Sequence, residues 1–172
     1  MRSLVAALLI VALLFAFTST FAAEHKYVGA KACGMCHKTD KQGKQLDIWS
    51  KSKHASAYTT LTGDEAKKIA EKKGLKKAAN ESPECLECHV VAAAPDPKEG
   101  VSCEACHGAG SDFKAMSTMK DKAKAIAAGL MEYKDEAAIE KHCKTCHNAK
   151  SPSYKEFNFK EAWAKIKHPK PA

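Results

Sequence analysis

The sequence predicts a mainly α-helical fold made of short helices joined by loops. Alanine and lysine, two strong helix formers, dominate the polar stretches of the chain. Capping and stop signals divide these stretches into short segments. Valine, isoleucine and threonine, which favour strands, are too scattered to predict a sheet.

The first two predicted helices lie in the middle of the chain. One opens at the capping box Thr62-Gly-Asp-Glu65, continues to about Lys73 and stops at Gly74. The next extends from about Asp112 to Ala128, where Gly129 supplies the stop signal.

The last two predicted helices lie in the C-terminal third. One begins at Asp135, a good N-terminal capping residue, and continues to Cys143. A short final helix spans Lys160 to Lys167 and ends at His168-Pro169, because proline disfavours helix in the residue before it.

All eight cysteines lie in four Cys-x-x-Cys-His motifs. The motifs are Cys33-Gly-Met-Cys36-His37, Cys85-Leu-Glu-Cys88-His89, Cys103-Glu-Ala-Cys106-His107 and Cys143-Lys-Thr-Cys146-His147. This is the attachment signature of c-type haem. The two thiols bond to the vinyl groups of one porphyrin, and the next imidazole binds the iron. The sequence therefore predicts four covalent haem c groups, with His37, His89, His107 and His147 as proximal ligands.

Cys-x-x-Cys pairs also occur in zinc ribbons, thioredoxin-like redox sites and disulfides. None of these alternatives requires a histidine directly after the second cysteine. Four such histidines, with no cysteine left over, favour haem.

The first 22 residues are predicted to be a signal peptide, and residues 23–172 a single domain. Arg2 gives a basic start, Leu4 to Phe17 are mostly apolar, and small residues surround the expected cleavage after Ala22. An uncleaved membrane anchor is the alternative. No later stretch is apolar for long enough to span a membrane, so we expect no anchor after cleavage.

Covalent haem is attached outside the cytoplasm, which predicts a periplasmic location. The alternatives are an extracellular one or membrane association through partners.

The sequence has few of the large apolar side chains that fill a conventional core, since 7% of its residues are aromatic and 28% are charged. Porphyrins would supply much of the missing apolar surface, so we expect the haem-free protein to be largely unfolded.

The formal charge of +8 has two interpretations. The lysines neutralise haem propionates, or they form a docking patch for an acidic redox protein. Nucleic acid is not an expected partner in this compartment.

From Tyr27 onward the chain resembles the cytochrome c554 family of periplasmic tetrahaem c-type cytochromes. The similar stretches are Tyr27–Ala32, Trp49–Ala57, Gly100–Gly110, and the fourth motif with Ser151-Pro152 and the terminal helix. The resemblance implies a compact, mostly helical fold whose short helices and loops wrap around four close-packed haems. It also implies electron transfer in the periplasm.

Four histidines remain as candidate distal iron ligands: in order of preference His54, His168, His142 and His25. His54 matches the family pattern Trp-x-x-(Ser/Thr)-x-His-Ala. His168 follows the terminal helix, with a flexible tail as the alternative. His142 precedes Cys143 and would serve a neighbouring haem, with a surface histidine as the alternative. His25 lies just after the expected cleavage site, where disorder is the alternative.

The chain departs from the family after the third motif. There the family usually has a further distal histidine, but the stretch from Gly108 to Ser117 contains none. A thioether ligand from Met116 is disfavoured, because a helical methionine is more often a packing residue. Either His142 or His25 replaces the absent ligand, or one haem is five-coordinate, as in the family's type member.

The predicted function is electron transfer between redox proteins through closely spaced haems. Such a carrier needs no catalytic residue, and the sequence shows no convincing catalytic triad. One alternative is an enzyme that reduces a nitrogen oxide or a peroxide at a five-coordinate haem. Another is an electron-conduit subunit of a larger respiratory complex. The donor and the acceptor are not encoded in any motif.

Overall fold

The computed structural model describes residues 24–170, and this part of the chain is helical and contains no strand. The predicted mainly α-helical fold is thereby confirmed. The predicted signal peptide lies outside the described residues. No helix within residues 24–170 combines the length and the apolar character that crossing a membrane requires.

The described residues form ten α-helices joined by turns and by three short 3-10 helices. The α-helices are α1 Ala30–Gly34, α2 Gln45–Ser50, α3 Ala57–Thr60, α4 Asp64–Lys72, α5 Pro83–His89, α6 Cys103–His107, α7 Met116–Met119, α8 Lys122–Ala127, α9 Glu136–Cys143 and α10 Phe159–Ile166. The 3-10 helices are Asp40–Gln42, Ala79–Glu81 and Pro97–Glu99.

Three of the four predicted helices are present close to their expected bounds. In α9, Asp135 caps the N-terminus by accepting a hydrogen bond from the Ala138 amide at 2.8 Å. Helix α4 ends just before Gly74, which has the expected positive φ of 66°. Its start differs from the prediction, since the cap is Gly63, and Thr62 instead donates its hydroxyl to the Thr59 carbonyl.

The prediction of one unbroken helix over Asp112–Ala128 is wrong. The structure has two shorter helices there, α7 and α8, separated at Asp121. Asp121 has an extended backbone, and its carboxylate accepts a hydrogen bond from the Lys124 amide at 3.1 Å. An aspartate can cap a new helix in this way, and here that local bond replaces helix continuation.

The buried apolar residues are small. Six of the eleven found within residues 24–170 are alanines: Ala30, Ala66, Ala70, Ala79, Ala94 and Ala125. Leu61 joins three of these alanines in one cluster, against which the partly buried Leu75, Cys85 and Leu86 pack. This cluster fixes the beginning of α5, and with it the second Cys-x-x-Cys-His motif.

Candidate functional site

Each Cys-x-x-Cys-His motif occupies one helical turn. The second and third motifs lie within α5 and α6. In the other two motifs the final histidine continues the helical bonding. The His37 amide donates to the Cys33 carbonyl, and the His147 amide to the Cys143 carbonyl, both at 3.0 Å. Residues three and four positions apart share one face of a helix, so each motif presents two thiols and an imidazole on one side.

The structure places the first motif beside the third. The neighbouring thiols of Cys33 and Cys103 interact, which raises the pKa of Cys33 and lowers that of Cys103. The second motif similarly lies beside the fourth. Burial raises the pKa of Cys88 to about 11, and its interaction with the Cys146 thiol contributes further. The first motif therefore adjoins the third, and the second adjoins the fourth; Cys106 of the third motif also interacts with both cysteines of the fourth. All eight cysteines are free thiols in this structure.

Two of the motif histidines face a second imidazole from a distant part of the chain. The ring centres of His147 and His54 lie 6.0 Å apart, and those of His107 and His168 lie 5.9 Å apart. Two metal–imidazole bonds of about 2 Å each, added to the two ring radii, separate axial imidazoles by about 6 Å. Both pairs thus have the spacing of two imidazoles that share one metal ion.

Burial lowers the pKa of His54, His107 and His147, which favours their neutral forms. It lowers the pKa of His107 to about 4, with smaller contributions from His168 and His37. Burial also lowers the pKa of His54, which the neighbouring His147 lowers further. A neutral imidazole has the free ring nitrogen that a metal ligand needs.

The backbone around His54 is held by the segment before the third motif. The His54 carbonyl accepts a hydrogen bond from the Val101 amide at 3.0 Å. The Trp49 indole in turn donates to the Val101 carbonyl at 2.8 Å. The tryptophan of the predicted pattern therefore has a structural role, since it ties the loop that carries His54 to this segment.

The terminal helix α10 is capped by Asn158, whose side chain accepts a hydrogen bond from the Glu161 amide. Phe159 is buried, and its ring stacks with Trp163 one turn further along the same helix. Beyond the helix, the Pro169 carbonyl accepts a hydrogen bond from the Gln45 side chain at 2.9 Å. These contacts hold His168 in place at the end of the chain.

The other two candidate distal ligands contact protein groups. The Nδ1 of His25 lies 2.8 Å from the Asp112 carboxylate, and its ring lies close to Gly129. The Nε2 of His142 lies 2.9 Å from the Ala105 carbonyl, and its ring packs against Tyr133. Neither ring forms a pair with a motif histidine. Their roles as iron ligands stay predictions.

The histidines of the first and second motifs form no pair with another imidazole, although all eight histidines lie within residues 24–170. The Nδ1 of His37 is buried and has no hydrogen-bond partner in the described structure. The Nδ1 of His89 lies 2.8 Å from the Ala57 carbonyl. Such a bond fixes the tautomer that leaves Nε2 free for a metal.

Two residues next to the motifs gave no signal in the sequence. Glu104, inside the third motif, is buried with 3% of its surface exposed. Tyr133 donates its hydroxyl to the Cys106 carbonyl at 2.8 Å. Both roles depend on contacts between distant parts of the chain, so no local motif could have indicated them.

The residues present fit haem c. Every motif supplies two unpaired thiols and one imidazole in a single helical turn. Two of the motifs also face a second imidazole at the spacing of a shared metal. The buried apolar residues are mostly small, and a bound porphyrin would supply the apolar surface that they lack.

Three comparisons with known proteins agree with this chemistry. A family described as "Cytochrome c554 and c-prime" matches residues 32–108. The protein Cytochrome c-554 of Nitrosomonas europaea is 29% identical over 167 residues, which cover 86% of this chain and 69% of that protein. The solved structure of the reduced state of cytochrome c554 from the same organism superposes with a TM-score of 0.53. The two chains are 26% identical, and the match covers 84% of this chain and 79% of the chain in that structure.

Proposed function

We propose that this chain, which is similar to cytochrome c554, is a c-type cytochrome that carries electrons between periplasmic redox proteins through four closely spaced haem c groups. The single observation that carries this proposal is the pair of imidazole–imidazole contacts. In each contact a motif histidine faces a second histidine at about 6 Å. A carrier needs ligands that stay in place on both sides of the iron.

The eight motif cysteines would hold the four haems, and the four motif histidines would bind the irons as proximal ligands. We propose His54 as the distal ligand opposite His147, and His168 opposite His107. When bound, the haem iron supplies a one-electron couple between its ferric and ferrous states. The protein's own residues favour the neutral forms of His54, His107 and His147 and place neighbouring motifs side by side. Rigid ligation keeps reorganisation on electron transfer small.

Counting the haems and their spin states tests this proposal. Intact mass spectrometry and the pyridine haemochrome assay on protein matured in an exporting host should give four haems per chain. Electron paramagnetic resonance of the oxidised protein should show low-spin signals from at least the two irons with proposed histidine pairs. Fewer than four haems, or only high-spin iron, would contradict the proposal. The same mass measurement tests the predicted cleavage after Ala22.

A second candidate function follows from the two unpaired motif histidines. No second imidazole faces His37 or His89 among the described residues, so if neither His142 nor His25 binds there, one or both irons would have an open position for a small ligand. Such a site could reduce a nitrogen oxide or a peroxide. Carbon monoxide added to the reduced protein distinguishes the two functions. Binding within the mixing time supports an open site, and the absence of binding supports a carrier with four closed irons.

Redox proteins are the proposed partners. The excess of lysine favours an acidic partner surface, because opposite charges accelerate encounter. Electron-transfer rates with an acidic partner should then fall as salt is added. A rate that does not change with salt would argue for the other role of the lysines, the neutralisation of haem propionates. Size-exclusion chromatography of native extracts would reveal a larger assembly if the chain is a conduit subunit.

A further inference from the structure

The carboxylate of Glu104 is buried between the N-terminal segment and the third motif. One oxygen accepts hydrogen bonds from the Val28 amide at 2.9 Å and the Gly110 amide at 2.7 Å. The other accepts from the Gly29 amide at 2.8 Å and again from Val28 at 3.0 Å. Each of these hydrogen bonds comes from a backbone N–H. This set of donors suits a carboxylate, which accepts hydrogen bonds and donates none.

No ion pair neutralises this charge within residues 24–170. The ion pairs described there involve other carboxylates, all of them at the surface. With 3% of its surface exposed, Glu104 is also shielded from water. A buried charge that is balanced only by backbone dipoles acts strongly on its surroundings, because the local dielectric is low.

The charge acts on the first and third motifs together. Glu104 belongs to the third motif, and its amide donors Val28 and Gly29 lead directly into α1, which carries the first. The hydrogen bond with Cys103 and burial raise the pKa of Cys33, and the negative charges of Cys103 and Glu104 raise it further. Glu104 is thus within electrostatic reach of both motifs of this pair.

The surrounding backbone is adapted to this contact. Gly29 has a φ of 81°, a conformation that side chains disfavour. A Cβ at Gly110 would lie 3.1 Å from a Glu104 oxygen and 3.0 Å from the Val28 side chain. Glycine at both positions lets two amides approach the same carboxylate.

Residues that precede Val28 also bind the stretch that follows the third motif. The Lys26 amide donates to the Ser111 hydroxyl at 2.9 Å, and the Ser111 amide donates to the Lys26 carbonyl at 3.0 Å. His25 contacts the Asp112 carboxylate next to Ser111. The segment from His25 to Gly29 is therefore bound along the stretch that follows the third motif.

We propose that Glu104 is a positioning residue with an electrostatic role: it anchors the segment from His25 to Gly29 and places a permanent negative charge beside the first and third motifs. This inference rests on the proposed function, since the charge would act on the haems of those motifs. A buried negative charge stabilises ferric iron relative to ferrous iron. Glu104 therefore lowers the reduction potential of at least one of these haems.

The variant Glu104→Gln removes the charge and keeps the shape of the side chain. A potentiometric titration followed by the haem absorbance should show at least one haem at a higher potential than in the wild-type protein. Glu104→Asp keeps the charge, so its potentials should stay near the wild-type values. Potentials of E104Q that equal those of the wild type would overturn the proposal. So would a shift in E104D as large as that in E104Q.

Glu87→Gln is the matched control. Glu87 occupies the second motif, also between its two cysteines, but its side chain is exposed. Water and salt screen an exposed charge, so this substitution should leave the potentials unchanged. An equal shift in E87Q would show that any carboxylate near a motif has the same effect, which would overturn a special role for Glu104.

The anchoring role can be tested in the wild-type protein, even if E104Q fails to mature. Hydrogen exchange measured by mass spectrometry should be slow in the peptides that contain Val28, Gly29 and Gly110. In E104D the same amides should exchange about tenfold faster or more, because charge-assisted hydrogen bonds are lost or lengthened. Exchange at the rate of an unstructured peptide in the wild type would overturn the anchoring.

The haem content of each sample separates the two proposals. A wild-type protein that folds without haem would refute the proposed function and leave the hydrogen-exchange result as the test of Glu104. A wild-type protein with four haems, whose potentials do not respond to E104Q, would refute only the electrostatic role of Glu104.

Discussion

His54 and His168 each reach a motif histidine from a distant part of the chain, so each proposed iron site can be opened by one substitution. In His54→Leu and in His168→Leu, one haem should change from low spin to high spin and bind carbon monoxide. Electron paramagnetic resonance and reduced carbon monoxide spectra measure this change. His142→Leu and His25→Leu are the comparison variants, because the structure pairs neither ring with a motif histidine. A high-spin iron in either of these would instead identify that histidine as a ligand.

Tyr133 should make the protein sensitive to alkaline pH. Burial raises its pKa from 10.0 to about 12, and the charges of Cys106 and Cys143 contribute less. A raised pKa means that the folded state favours the protonated phenol. The resulting stability is complete below about pH 10, where the unfolded state titrates, and is lost as the pH rises toward about 12.

The variant Tyr133→Phe tests this pH dependence. At neutral pH it should be less stable by about 1 kcal/mol, since it lacks the hydrogen bond to the Cys106 carbonyl. Thermal midpoints recorded at neutral pH and at about pH 11 should show that this difference shrinks or reverses. Tyr154→Phe, at an exposed tyrosine, should follow the wild-type curve. A difference between Y133F and the wild type that stays constant over this pH range would exclude the assigned role.

At the scale of elements, Gly100 controls how closely the segment before the third motif approaches the loop that carries His54. Its φ is 76°, and a Cβ there would lie 2.5 Å from the His54 carbonyl oxygen. Gly100→Ala should therefore combine backbone strain with a clash that displaces His54. We expect a loss of well over 1 kcal/mol in stability and altered low-spin signals.

A comparison with Gly74→Ala separates the effect of backbone strain on stability from the effect of the clash. Gly74 has a similar φ of 66°, but a Cβ there would meet no atom within 4 Å. Strain alone should cost about 1 kcal/mol, with no change in the haem spectra. Thermal unfolding and electron paramagnetic resonance of both variants provide the comparison. Equal losses of stability, with unchanged spectra in G100A, would show that the loop around His54 adapts.

Local signals predicted those elements that local bonds determine. Helix α9 begins after Asp135 as expected, because the capping bond involves residues only three positions apart. The same chemistry at Asp121 divides the region into α7 and α8, although helix propensity favoured continuation. The short helix α1 could not be predicted, because carboxylates of Glu99 and Glu104, far away in sequence, bind the amides at its start.

At the scale of the whole molecule, the sequence revealed the four Cys-x-x-Cys-His motifs, but it did not reveal which motifs and histidines lie next to one another. The spacing within each motif depends on one helical turn, which a sequence pattern can encode. The association of the first motif with the third depends on packing between distant segments. The same holds for the contact between His107 and His168. Counting histidines could therefore nominate the distal ligands, whereas their pairing required the structure.

The interior formed by residues 24–170 consists mostly of small side chains. Most buried apolar residues there are alanines, and the largest fully buried side chain among them is a serine, Ser82. Alanine buries little surface, and each buried CH₂ group contributes only about 0.8 kcal/mol, against an ordering cost of about 1–2 kcal/mol per residue. The haem-free protein should therefore be largely unfolded, as the composition also predicts.

Circular dichroism tests this dependence on haem. Protein expressed in the cytoplasm without the first 22 residues, and kept reduced, should show much less helix than the haem-loaded protein at the same temperature and pH. Replacing both cysteines of only the fourth motif by alanine provides an intermediate case. The loss of one haem should lower the thermal midpoint but leave a folded protein, because the other three groups still contribute apolar surface. Native-like helicity and a cooperative thermal transition without any haem would contradict the prediction, since the described core would then be sufficient by itself.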